Sequence, residues 1–274
     1  MIGASSEGKG DVANFILSNK SVVRTTKKTT PILEDKFDKI VETGSGANKV
    51  RTTDDSSATN NDGLVEGSSD SGVEVVTNAI QGNSYKFASS YRGRVVHKFV
   101  EDYNIFYNGT IMVFLYPTDA VNDYAGLVHK GVSKIVCNNG IFADEVYTFQ
   151  FWPSGKSDHV FKMFLIEGNE NTSCTKTNKD CLCGGSSSWK YVEATSATTV
   201  AANKWQHVAI TWEQKPSGAL DMKFYINGSL DSSTAVSNFT PRRNQADLVV
   251  GGQSDDDSGN VNTFYNGNMD NNNE

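Results

Sequence analysis

Carboxylates, histidines, cysteines and aromatic rings are the groups of this chain with chemistry to offer, and their spacing limits what they can do. Retaining hydrolysis of a glycosidic bond needs two carboxyl groups about 5.5 Å apart on one face. The nearest pair, Asp144-Glu145, is adjacent in sequence, and alternation along a strand sends adjacent side chains to opposite faces. Val146 to Phe151 adds no third acid. A Ser-His-Asp arrangement could draw on His97, His129, His159 and His207, but no Gly-x-Ser-x-Gly elbow is present. Gly44-Ser45-Gly46 neither follows a strand nor opens a helix, so it is not a phosphate-cradling loop. These spacings favour binding over reaction.

Two groups could hold a ligand. Trp152, before Pro153-Ser154-Gly155, and Trp189 with Tyr191 could form a stacking platform for sugar rings; burial in the core is the competing reading. Asp255, Asp256 and Asp257, with Asn260 and Asn262, put hard oxygen ligands on one loop, as calcium requires; a solvated acidic loop is the alternative. Of the four cysteines, Cys174, Cys181 and Cys183 share a loop and Cys137 lies on an expected strand. A disulfide within the loop or to Cys137, free thiols, and a zinc site using all four remain open. The Cys-x-Cys after a six-residue gap is not a usual zinc spacing. Asn19, Asn108, Asn171, Asn227 and Asn238 head Asn-x-Ser/Thr sequons, as on an exposed glycosylated surface.

The chain carries a net charge of −7 over 274 residues, which argues against a nucleic-acid partner bound through phosphate neutralisation. Arg24, Lys27 and Lys28 read as a solvated arm. No window approaches the ~20 apolar residues of a membrane span. Met1 to Asp11 is small, polar and acidic, unlike a secretory signal, so a signal was removed earlier or none is used.

The elements that must position these groups are mostly strands. Val208, Ile210 and Trp212 alternate with His207, Ala209 and Thr211, and Met222, Phe224 and Ile226 with Lys223 and Tyr225. Asn227-Gly228 then suits a two-residue hairpin turn, since both residues tolerate positive φ. Short alternating segments recur from Val73 to the end, parted by Gly, Asn, Asp and Ser, as in an antiparallel two-sheet β-sandwich of the jelly-roll kind. Residues 1–43 read as an arm with short helical segments, the clearest over Pro31 to Thr43, where Ile32, Leu33, Phe37 and Ile40 form a stripe. Residues 44–72 read as a flexible Gly/Ser/Asp-rich linker, and 73–274 as the sandwich.

Trp205-x-His207-Val208-Ala209, Phe224-Tyr225-Ile226-Asn227-Gly228, Leu248-Val249-Val250-Gly251-Gly252 and Phe264-Tyr265-Asn266-Gly267-Asn268-Met269-Asp270 follow one another in order. This run resembles the laminin-G-like jelly rolls of the concanavalin-A-like lectin/glucanase superfamily. Ala79 to Phe87 resembles the opening strand of that pattern, and Gly109 to Pro117 the strand that follows. The resemblance implies an all-β fold and calcium near a ligand-contacting rim. It also implies that His207 serves its strand as a hydrogen-bonding residue, not as a base. The pattern departs after Asp270, where a closing strand is usual and Asn271 to Glu274 stands instead, so the edge beside Ala79 to Phe87 is expected to belong to a shortened chain, to be covered by the N-terminal arm, or to take a strand from a neighbour.

Three functions follow as expectations. The first is a non-catalytic extracellular or surface recognition module, binding a glycan or protein through sandwich-end loops. The second is a structural subunit of a virion shell or filament, assembling through the N-terminal arm and an open edge. The third, a glycoside hydrolase, lacks its carboxylate set.

Overall fold

The structure, a computed structural model, describes residues 32–57, 60–105, 107–118, 122–137, 140–153, 159–167, 190–239, 246–253 and 263–271. Alternating sequence becomes sixteen strands there: β1 (Val41–Thr43), β2 (Val50–Thr52), β3 (Leu64–Glu66), β4 (Val73–Val76), β5 (Ser84–Phe87), β6 (Arg94–His97), β7 (Asn108–Pro117) and β8 (Gly126–Cys137), then β9 (Gly140–Pro153), β10 (His159–Glu167), β11 (Lys190–Thr199), β12 (Gln206–Gln214), β13 (Leu220–Ile226), β14 (Ser229–Val236), β15 (Leu248–Val250) and β16 (Gly267–Asp270). They form a nine-stranded sheet in the order β1-β2-β3-β6-β15-β8-β9-β10-β11. A seven-stranded sheet runs β14-β13-β12-β7-β16-β5-β4. Adjacent strands pair antiparallel.

Period-two patterning decides which side of each strand faces the other sheet. Val208, Ile210 and Trp212 of β12 are buried, as are Met222, Phe224 and Ile226 of β13. Ile210 lies between Ile111 of β7 and Phe224 in register. Opposite them, Tyr147, Phe149 and Phe151 of β9 and Phe161, Met163 and Leu165 of β10 are buried too. Rings close the gap between the layers: Phe149 meets Phe224 at 6.1 Å, and Tyr147 meets Trp212 at 6.2 Å between centroids. The turn after β13 forms as its residues dictate, with Asn227 at φ 50 and Gly228 at φ 79.

The N-terminal half departs from the sequence expectation in three places. The stripe over Pro31 to Thr43 does not make a helix in its described part, residues 32–43. Leu33 and Phe37 are buried, but on an extended strap in which Asp35 bridges to Asp55 and Phe37 sits at φ 55. Cross-chain partners satisfy this backbone: Glu34 N donates to Asp55 Oδ1 at 3.0 Å, and Ser56 N donates to Glu34 O at 3.0 Å. A helix of that length is marginal on its own, and these pairings are the alternative the chain takes. Residues 1–31 lie outside the described residues.

Residues 44–72 are not a spacer either. They contribute β2 and β3, and β3 pairs with β6 through Leu64–Val96, Val65–Val95 and Glu66–Arg94. Their low apolar content is that of short strands at a sheet margin with much of their surface in water. Nor is the edge at β5 open. β16 inserts between β5 and β7, and β4 covers the other side of β5. Asp270 anchors this arrangement by accepting hydrogen bonds from Ile80 N at 2.7 Å and Gln81 N at 3.3 Å.

The turns at the start of β6 depend on one close crossing. A Cβ at Gly93 would overlap the carbonyl oxygen of Gly72, which itself accepts from Ala88 N at 2.9 Å. Gly93→Ala is therefore expected to cost about 3 kcal/mol, at the upper end of overpacking penalties. Urea unfolding reads this as a lower midpoint at unchanged slope.

The strap crosses one end of the sandwich and ties both sheets. Tyr85 of β5 donates from its hydroxyl to Lys39 O at 2.5 Å, and Asn271 Nδ2 donates to Asp35 O at 2.7 Å. On the other side, Asp35 Oδ2 stands 3.6 Å from His97 Nε2, both side chains fully buried. His97 Nδ1 lies 2.8 Å from the carbonyl of Asn61. A carbonyl only accepts, so Nδ1 carries a proton; Nε2 and Asp35 Oδ2 stand too far apart to share one directly, and neither has a hydrogen-bond partner among the described residues. Burial pulls the His97 pKa down, but Asp35, the Asn61 carbonyl and the charge of Asp55 more than reverse this and hold it above its ordinary value.

Candidate binding groove

The segment that composition marks as a spacer builds a concavity at the margin of the nine-stranded sheet. It is a groove of about 1050 Å³, between the turn Gly46–Asn48 with β2, the end of β3 with the turn Asp70–Gly72, and the start of β6; Phe264 closes one end. Lys49, Arg51, Arg92 and Arg94 line it together with Glu66 and Asp70.

Most of these charges hold one another in place. Lys49 Nζ reaches Asp70 Oδ2 at 2.7 Å and Glu42 Oε1 at 2.9 Å. These partners raise the Lys49 pKa, and the Lys49 hydrogen bond lowers that of Asp70. Arg51 spans the gap between strand and turn. Its Nε pairs with Glu42 at 3.2 Å, while Nη1 and Nη2 donate to the carbonyls of Asp70 and Val73, each at 2.7 Å. Arg94 donates from Nε and Nη2 to one oxygen of Glu66 at 3.0 and 2.9 Å, and from Nη1 to Gln253 O at 3.1 Å. Its guanidinium lies 5.9 Å from the centre of the Phe264 ring.

Arg92 differs. It caps the turn Ser89–Tyr91 in the left-handed conformation, φ 53 and ψ 40, its backbone N–H donating to Ser89 O at 2.9 Å. The residue is half-buried, and among the described residues its guanidinium has no carboxylate or carbonyl partner.

None of the site residues singled out from the sequence is among those that line the groove in the described part of the chain. Tyr191 stands on β11, 54% exposed, edge-on to Phe164 at 5.5 Å and close to the Lys162–Glu193 pair. Trp152 is on β9 opposite Val160, and Cys137 ends β8 opposite Gly140; their side chains lie outside the described set. The side chains of Asp144 and Glu145, on β9, lie outside it too. Trp189, Asp255, Asp256, Asp257, Cys174, Cys181, Cys183, Asn19 and Asn171 fall outside the described residues. Among those described, no group of three or more His, Cys, Asp or Glu is placed to hold a metal ion, and no helix is long and apolar enough to cross a membrane.

The remaining sequons differ in exposure. Asn238 is exposed in a loop, Asn227 accepts from His207 N at 3.0 Å, and the side-chain oxygen of Asn108 is buried. Among the described residues the buried Nε2 of His207 has no hydrogen-bond partner, so the ring does not take the hydrogen-bonding role expected for it. Its ring packs on Phe114 at 4.9 Å, and burial lowers its pKa. Packing against a neighbouring aromatic is what fixes it.

Residues 107–273, more than half of the chain, match the laminin-G-type family of the concanavalin A-like lectin/glucanases superfamily. The chain belongs to this superfamily. Its laminin-G-type region holds β7 to β16, so β1 to β6 stand outside the matched residues and only Phe264 of the groove lies within them. No curated protein matches the chain.

Among solved structures, the binding domain of Paraclostridial Mosquitocidal Protein 1 is 15% identical, with a TM-score of 0.47 over 86% of this chain and 48% of that one. Domain 4 of an extracellular GH43 arabinanase from Geobacillus stearothermophilus, solved with arabinotriose, is 14% identical, with a TM-score of 0.47 over 80% and 84%. The binding domain of botulinum neurotoxin serotype D is 16% identical, with a TM-score of 0.45 over 81% and 43%. The chain thus spans less than half the length of the first and third.

Proposed function

We propose that this chain is a non-catalytic recognition module that binds a glycan in the groove between β2, β3 and the start of β6. One observation carries the reading: a cleft large enough for several sugar rings whose donors and acceptors are fixed before any ligand arrives. Guanidinium N–H groups and carboxylate oxygens in alternation suit hydroxyl groups, and Leu64 and Phe264 offer apolar surface to the ring faces. Preorganised side chains reduce the ordering cost that binding otherwise incurs.

The same clamping argues against hydrolysis in this groove. Asp70 is held below its ordinary pKa by Lys49 and stays ionised, so it has no proton to give a leaving group. Glu66 is engaged twice by Arg94. An assembly subunit using an open edge at β5 loses its motive, because β4 and β16 occupy both sides.

Ala47 is exposed at the groove mouth and touches no part of the core. Ala47→Trp should fill the groove while leaving the unfolding midpoint unchanged. On a glycan array the wild type is expected to bind at least one glycan class, and Ala47→Trp to weaken that binding by about tenfold or more, roughly 1.4 kcal/mol. Equal binding by both would place the site elsewhere and overturn the reading.

A further inference from the structure

We infer that the groove selects glycans bearing an anionic group, a carboxylate or a sulfate, and that Arg92 is the residue that reads it. This rests on the glycan-binding reading above and gives that ligand a charge.

The other cations of the groove already have partners. Lys49 and Arg51 share Glu42, Lys49 also holds Asp70, and Arg94 holds Glu66. Among the described residues four cations, Lys49, Arg51, Arg92 and Arg94, therefore face three carboxylates, Glu42, Glu66 and Asp70. One positive charge is left over, in a chain whose net charge is −7. A cleft with low-dielectric walls focuses such a local field. The surplus sits on Arg92, whose planar fork matches a carboxylate or sulfate through two parallel hydrogen bonds.

Backbone conformation points the same way. The φ of 53 at Arg92 is one that glycine adopts freely and other residues adopt at a cost. Position 92 is held from both sides, by the Ser89 carbonyl and by the Gly72–Gly93 crossing that follows it. An arginine where glycine would fit without strain offers the fold nothing that glycine lacks, apart from a guanidinium at the groove. The turn before β6 thus brings to the groove lining a cation with no internal partner among the described residues.

Arg92→Gly separates recognition from folding, because it removes the guanidinium and relieves the backbone together. The test is titration calorimetry of the full chain with three oligosaccharides of equal length: a sulfate-free one carrying glucuronate, a sulfated keratan without uronic acid, and neutral chitin. Wild type is expected to bind one of the two anionic probes about 10–100-fold more tightly than the neutral one, as a charge-assisted hydrogen-bond pair allows. The better of the two identifies carboxylate or sulfate as the group read.

Arg92→Gly should unfold no earlier than wild type and lose the preference; Arg92→Lys should keep part of it. Undiminished anionic binding by Arg92→Gly would overturn the inference. So would a wild type that binds the neutral probe as well as either anionic one, and in that case Ala47→Trp still reports whether the groove is the site. A wild type that binds none of the three overturns the inference, and the array comparison then decides the glycan reading separately.

Discussion

Replacing His97 with alanine is expected to destabilise the fold by about 3–5 kcal/mol, the cost of stranding a buried charge without its partner. Asp35 and His97 are both fully buried and 3.6 Å apart. With the imidazole gone, the Asp35 carboxylate is left in the interior under a strap whose burial depends on Leu33 and Phe37. The double variant Asp35→Asn/His97→Leu should recover much of the loss, because it removes both charges together. Urea unfolding of the single and double variants gives the comparison.

The pH dependence of the wild type carries a sign. The folded-state pKa of His97 lies above the ordinary 6.5. Its contribution to stability is therefore complete below pH 6.5 and is lost as pH rises through the folded value. Wild type should weaken as pH rises from 6.5 through that folded value, and His97→Ala should weaken less over the same range. If the two stability curves run parallel, the buried pair is not ionic.

Trp212→Ala is the second large effect, expected at about 3–5 kcal/mol from lost burial and the cavity left behind. The indole is 2% exposed and bridges the layers toward Tyr147. A Cβ at Gly109, its register partner on β7, would overlap the ring, so the neighbouring strand is already at closest approach and cannot collapse into the gap. Among the described residues the indole N–H has no hydrogen-bond partner, so Trp212→Phe removes none of the bonds seen there and should cost clearly less than alanine. Unfolding midpoints of the two variants test this ordering.

The core of this fold is written plainly in the sequence, because strands packed on one face alternate strictly. Val208, Ile210, Trp212, Met222, Phe224 and Ile226 all face inward as their spacing requires. The Asn227-Gly228 turn is legible because only a few residues tolerate two positive φ values in succession. β14, Ser-Leu-Asp-Ser-Ser-Thr-Ala-Val, leaves no such trace. It lies at the margin of its sheet, with four of its eight residues exposed, so no apolar period is imposed on it.

β2 and β3 escape notice for the same reason, and with them the groove. Its charged residues are scattered between positions 42 and 94, and they converge only because β3 pairs with β6. The one local signal was a non-glycine residue in a turn that needs φ above zero, and Arg92 does not announce that in sequence. The strap hides for a different cause. Its apolar spacing is compatible with a helix, and the choice against it is made by Asp55, Ser56 and Asn271, which are far away in the chain.

The most direct measurement is a titration of the ¹⁵N-labelled chain with an anionic oligosaccharide, followed through its backbone amides. Glycan recognition in this groove predicts that the shifted amides cluster at Lys49, Arg51, Ser68, Asp70, Arg92 and Arg94, with the oligosaccharide recovered intact. Shifts gathered instead around Tyr191 and Phe164, or around Phe114 and Trp205, or cleavage of the oligosaccharide, would contradict it.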